Sequence, residues 1–284
     1  MKTEIKYQNN LELTLGCNQA GQTVCQHQYT TYPLRLSTPF YLEGQNSSRA
    51  YHYLINTSPG LLAGDELNLS LKLESNTNLY LTDQAATKVH PMPEINTKAR
   101  INYRFIIDAN ANLELVPEPI ILYADSVLEQ NTTIELHPTA TLFLAEIILP
   151  GRLAKNEYYD FNYYLNRLKI TDLDDKLLFI DAMRLAGKQN QFRYDKLFVS
   201  APIIGQAIAI LPNVDLALLT TNLNSIKSAM IDNLEVATTT LPSNNGILIR
   251  ALGTKTIAIK QYFTYALNCI RAITNQASLP RIPK

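Results

Sequence analysis

Tryptophan is missing from this chain. Its 284 residues include only 10 glycines, 4 methionines, 4 histidines and 3 cysteines. The histidines (His27, His52, His90, His137) are dispersed, and none forms a His-x-His or His-x-x-x-His pair. A conventional zinc site is therefore not expected. Cys17, Cys25 and Cys269 are odd in number and scattered, which predicts free thiols in a reducing cytoplasm. Neither sign of charge is in excess: 25 Lys and Arg face 25 Asp and Glu. Nothing here supplies the basic field that nucleic-acid binding needs. No apolar run reaches the length of a membrane span. The first ten residues, MKTEIKYQNN, are polar, so no export signal is expected. Gly-x-Gly-x-x-Gly after a strand, a phosphate-binding loop and a Gly-x-Ser-x-Gly elbow are all absent. These gaps predict a protein without catalysis.

What is present suffices for a core. Hydrophobic residues make up 46% and charged residues 18%. No low-complexity linker interrupts the chain, so one domain over 1–284 is expected. Glu66 to Leu73 alternates strictly: Leu67, Leu69, Leu71 and Leu73 share one face of a half-buried strand. Residues 100–107 repeat the pattern. Further strands are predicted at 12–15, within 29–42, at 161–170 and 176–183 around a turn at 172–175, and at 246–251. Two helices are predicted. One covers 222–234, with Asn222 or Asn224 as its cap and Ile226, Met230 and Leu234 on one face. The other covers 257–275, with an apolar stripe of Ile259, Phe263, Leu267, Ile270 and Ile273 that must be covered as core or as a docking face. The tail, 279–284, carries two prolines and is predicted extended.

A weak internal repeat underlies this pattern. Segments starting at Leu71, Phe105 and Ile134 each read as strand, short polar turn, and strand carrying Leu-x-Leu (Leu79/Leu81, Leu113/Leu115, Leu142/Leu144). Such units cannot bury an apolar face alone and must stack. The fold class expected is mainly β: stacked or layered, β-helix-like sheets with about two helices in the C-terminal half.

Polar residues recur at the ends of these units. Asp65 follows a glycine at a strand entrance. Asp83, Gln84 and Lys88 follow Leu81, Glu118 sits between two prolines, and Glu146 lies beyond Leu144. By spacing alone they read first as solvated strand ends or turn caps, and only second as the lining of a wet channel for a divalent cation.

Several of these segments resemble one family. Asn56-Thr-Ser-Pro-Gly-Leu-Leu-Ala-Gly-Asp65 is similar to the Asn-Pro-Pro-Gly-Gly-Leu-Val-Gly-Gly-Asp signature of the UreD (UreH) urease accessory proteins. Leu81 to Lys88 resembles its Thr-Thr-Gln-x-Ala-Thr-Lys stretch. Leu113 to Tyr123 resembles its Leu-Glu-Trp-Leu-Pro-x-Pro-x-Ile-x-Phe stretch. Glu146 to Glu157 resembles its Glu-x-x-x-x-Gly-Arg stretch, and Gly246 to Arg250 and the closing helix with Arg271 match in character. The departures at 57–59, 63, Asp83, Val116 and Asn156 spare Asp65, Lys88, Glu118, Arg152 and Glu157. The resemblance implies a non-catalytic scaffold that binds UreF-like and, through them, UreG-like proteins and docks them on apo-urease. It implies no stably bound cofactor, only nickel in transit through a polar internal tunnel. Asp65, Glu118, Glu146 and Glu157 are then candidate transient nickel ligands, Asp83, Gln84, Lys88 and Arg152 further polar motif residues, and Asp65 is expected to face a hydrated interior path. The alternatives are a β-helical binding protein unrelated to nickel and, more remotely, an enzyme on stacked β-coils.

Overall fold

The computed structural model describes residues 8–44, 47–94, 96–189, 194–225 and 234–283. Two sheets hold nearly all the strands. The first runs, edge to edge, β14 (Leu177–Leu185), β13 (Tyr163–Thr171), β11 (Val127–Leu136), β8 (Ala99–Ile107), β5 (Glu66–Leu73), β1 (Leu11–Cys17) and β2 (Thr23–Thr30). The second runs β16 (Leu234–Thr240), β17 (Gly246–Gly253), β15 (Ile203–Ile210), β12 (Thr141–Leu149), β9 (Asn112–Leu115), β6 (Asn78–Asp83), β4 (Arg49–Asn56) and β3 (Leu34–Leu36). Two short strands, β7 (Thr87–Val89) and β10 (Ile120–Leu122), branch from the second sheet through the pairing of β10 with β12.

The repeat is the organising unit. Leu71, Phe105 and Ile134 are direct partners across the parallel strands β5, β8 and β11. Leu79, Leu113 and Leu142 are direct partners across β6, β9 and β12. Each copy is one turn of a coil, and equivalent residues lie above one another because parallel pairing in register demands it. The turns also match. Thr77 N–H donates to Glu74 O (3.2 Å), Ala111 N–H to Asp108 O (3.1 Å) and Ala140 N–H to His137 O (2.9 Å). Asn76 and Asn110 take the left-handed conformation at φ 65° and 57°, which asparagine tolerates better than most residues. On the face of the first sheet turned from the core, asparagines stack in register. Asn102 Nδ2 donates to Asn68 Oδ1 (2.9 Å) and Asn131 Nδ2 to Asn102 Oδ1 (3.0 Å).

Rows of Leu, Ile and Phe fill the space between the sheets and form the main core. A second core lies on the other face of the second sheet, where α3 (Thr256–Ile273) lays Ile259, Phe263, Leu267 and Ile270 against Phe143, Ala207 and Ile249. The apolar stripe of this helix is thus covered from within the chain, at ~1.5–3 kcal/mol for each large side chain buried. Both parallel stacks are bracketed by antiparallel strands: β2 and β14 in the first sheet, β3 and the β15–β17–β16 set in the second.

The structure corrects two sequence expectations. The helix placed at 222–234 is α2, Leu216–Ser225, and its cap is Asp215, whose Oδ1 accepts from Ala217 N and Leu218 N at 3.0 Å. Residues 226–233 lie outside the described residues, and Leu234 opens strand β16. A short additional helix, α1 (Lys196–Ser200), is capped by Asp195. The strands expected within 29–42 reduce to β3 and the end of β2. The bulk of β2 lies earlier, where TVCQHQYT is mostly exposed and carries no apolar alternation.

Candidate functional site

The inward faces of β11, β12, β13 and β15 carry mostly leucine and isoleucine at every second position, but Tyr164 and Thr132 interrupt them, and at one level all four strands turn polar. There, Gln130 is the partner of Asn166 in the first sheet and Glu146 is the partner of Gln206 in the second. The two pairs face each other across the gap between the sheets, and all four side chains are buried. They line a largely enclosed cavity of about 60 Å³, together with Asp83 and Glu118 and walls of leucine and isoleucine. That volume is polar enough and large enough for water.

Glu146 is the centre of this cluster. Its Oε1 accepts from Gln130 Nε2 (2.5 Å) and from the Tyr164 hydroxyl (2.9 Å), and its Oε2 accepts from Asn166 Nδ2 (2.7 Å). Burial pushes its carboxyl above the usual range, and the three donors pull it back only in part. Asn166 Oδ1 and Gln206 Oε1 are buried without a protein hydrogen-bond partner. The cavity therefore presents a carboxylate and two free amide oxygens, donors that suit a hard or borderline cation or its hydration water.

The coil stack brings Asp83 and Glu118 to the same cavity. The Glu118 N–H donates to Asp83 Oδ2 (3.2 Å), and the Glu118 Oε2 pairs with Lys260 Nζ of α3. Burial lowers the Lys260 ammonium pKa. Beyond Glu118 lies a second space of about 340 Å³, between the second sheet, α3 and the segment 279–282. Pro117, Glu118 and Ala145 border both spaces. The three carboxylates are strung along the cavity rather than clustered. Among the described residues no three or more His, Cys, Asp and Glu side chains gather to hold a metal ion.

The other motif residues lie elsewhere. Asp65 does not line the cavity. Its Oδ2 accepts from Leu62 N (2.8 Å) and its carbonyl accepts from Arg100 N (2.8 Å), so it closes the turn that enters β5. Glu157 is buried, accepting from Ala124 N and from Arg152 Nε (2.5 Å). Arg152 in turn lies over the Tyr123 ring at 4.4 Å, and His90 meets the same ring edge-on. Gly151 sits beside this pair at φ 148°, and a Cβ there would stand 2.3 Å from the Glu157 carbonyl oxygen. Gln84 and Lys88 are exposed.

Sequence reasoning passed over Gln130, Thr132, Asn166, Gln206 and Lys260. A signal existed for the amides. Each occupies an inward position in its strand beside at least one apolar neighbour, and Gln206 lies between Ile204 and Ile208. A second buried cluster was also missed. Arg271 Nε donates to Glu114 Oε1 (2.9 Å) and its Nη1 to Glu43 Oε1 (2.8 Å), while Arg49 Nη1 lies 3.4 Å from Glu114 Oε1.

Two parallel β-stacks around an interior cavity that holds a buried polar cluster, with one long helix packed on the outside, define a β-coil fold. The chain belongs to the UreD urease accessory protein family, whose model matches residues 8–284. A urease accessory protein UreD of Trichodesmium erythraeum (strain IMS101) is 53% identical over 276 residues, covering 97% of this chain and 99% of that one. UreD of Haloarcula marismortui is 28% identical over 86% of this chain and 79% of its own length. The urease accessory protein UreH of Helicobacter acinonychis is 31% identical over 61% of this chain and 64% of its own. Among the described residues no helix is long and apolar enough to cross a membrane.

Proposed function

We propose that this protein is a non-catalytic, cytoplasmic scaffold of urease maturation. It binds UreF-like and, through them, UreG-like partners, docks on apo-urease, and conveys nickel through its interior, with Ni²⁺ as cargo rather than resident cofactor. The observation that carries this reading is that Asp83, Glu118 and Glu146 line one inner cavity, together with Asn166 and Gln206, whose buried amide oxygens have no hydrogen-bond partner in the protein. A conduit must hold its ion weakly enough to release it. Single carboxylates and neutral amides spaced along a passage meet that condition better than a closed ligand cage. Asp65 and Glu157 serve the same function indirectly, by shaping loops.

The test is nickel loading of urease in a complex that carries Glu146→Gln. Glutamine keeps the size and the hydrogen-bonding oxygen and removes the charge. Normal complex stoichiometry with lowered urease nickel content is the expected result. Full nickel loading at normal stoichiometry would remove Glu146 from the path and with it the main support for the conduit.

A further inference from the structure

Lys260 stands where the two spaces meet. It lines the outer space, and its ammonium is paired with Glu118, which borders both. The pair is asymmetric in exposure: the Glu118 side chain is 11% exposed and the Lys260 side chain 35%. The carboxylate is the anchored partner. It sits between Pro117 and Pro119, and its backbone N–H is held by Asp83. The cation is the more exposed partner. It is carried on a flexible four-carbon stem from α3, whose neighbouring Ile259 and Phe263 fix the helix against the second sheet.

We propose that Lys260 is a tethered cation that occupies Glu118 until a passing divalent ion displaces it, so that this lysine gates the junction between the outer groove and the inner cavity. The proposal rests on the conduit reading. A single positive charge is well suited to the task. It keeps Glu118 neutralised while the passage is empty, and a doubly charged ion outcompetes it at the same oxygens. The displaced ammonium swings into the outer space, where it reaches water. Lysine fits this role better than arginine, whose planar fork binds carboxylates in two places at once and releases them less readily.

The experiment is calorimetric titration of Ni²⁺ into the purified full-length chain and its variants, each checked for an unchanged melting transition. Lys260→Met removes the competing charge, and we expect Ni²⁺ affinity to rise at least about tenfold. Lys260→Arg should bind no more tightly than the unsubstituted chain. The double variant Lys260→Met/Glu118→Gln should lose the gain, which locates it at Glu118. An affinity in Lys260→Met within about twofold of the original, or a gain that survives Glu118→Gln, overturns the gate. Should methionine disturb folding, Lys260→Gln gives the same reading with a polar side chain. Failure of the gate is distinguishable from failure of the conduit. Unchanged urease nickel in the Glu146→Gln complex strikes at the conduit, whereas lowered nickel there with an unchanged Lys260→Met titration strikes at the gate alone.

Discussion

Arg271 and Glu114, 157 positions apart in the chain, form a two-point ion pair with side chains only 1% and 3% exposed, joining the last turn of the closing helix to the second copy of the repeat. Burial alone would weaken the Arg271 charge, but the Glu114 carboxylate and the Tyr51 hydroxyl outweigh it and hold its pKa above the ordinary arginine value. Breaking such a pair leaves a buried charge uncompensated, at a cost of ~3–5 kcal/mol. Glu114→Gln or Arg271→Met should therefore lower the denaturant midpoint sharply and loosen the packing of α3. A loss below about 1 kcal/mol in urea titration would show that Arg49 and Glu43 compensate fully.

At Asp65 the outcome depends on which atom matters. Its carboxylate accepts one backbone N–H, from Leu62, and an amide oxygen can do the same. Asp65→Asn should fold, assemble with partners and load nickel normally. Asp65→Ala should lose ~0.5–2 kcal/mol, as capping side chains do. Lowered urease nickel in an Asp65→Asn complex of normal stoichiometry would return this charge to the ion path.

The buried Glu146 carboxyl titrates above its ordinary value near 4.5. The folded protein therefore binds this proton more tightly than the unfolded chain does. The stability gained from protonation is complete below about pH 4.5 and is lost as pH rises through the raised folded value. Relative to Glu146→Gln, the native protein should lose melting temperature as pH rises above the unfolded value near 4.5. Parallel melting curves across that range would show that Tyr164, Gln130 and Asn166 already offset burial.

Much of the fold was legible because its two periods are written plainly. The alternation of Leu67 to Leu73 fixes β5, and the three Leu-x-Leu copies stack in register because parallel coils place equivalent residues on top of one another. Strand β2 was not legible, since its exposed side chains carry no apolar face. The start of α2 was misread because asparagines resembling caps lie inside the helix, while Asp215 does the capping. The site was half legible. Glu118 and Glu146 converge because the repeat stacks them, whereas Asp65 and Glu157 are diverted into bonds with nearby backbone. Gln130 and Asn166 become a pair only once β11 is known to lie beside β13. Lys260 meets Glu118 across 142 positions of chain, which no local pattern reveals.

The antiparallel strands that flank each parallel stack also bear on how the molecule meets others. A bare parallel coil ends in a row of N–H and C=O groups ready to accept another coil, including one from a second molecule. Here the first sheet ends in β2 and β14, running against their neighbours, and the second in the three-residue β3 and in β16. A new coil would meet an antiparallel edge, not a strand continuing the parallel order of the stack. Fibre-like growth is thereby discouraged, and the broad sides of the molecule are left as the natural places for encounters with other proteins.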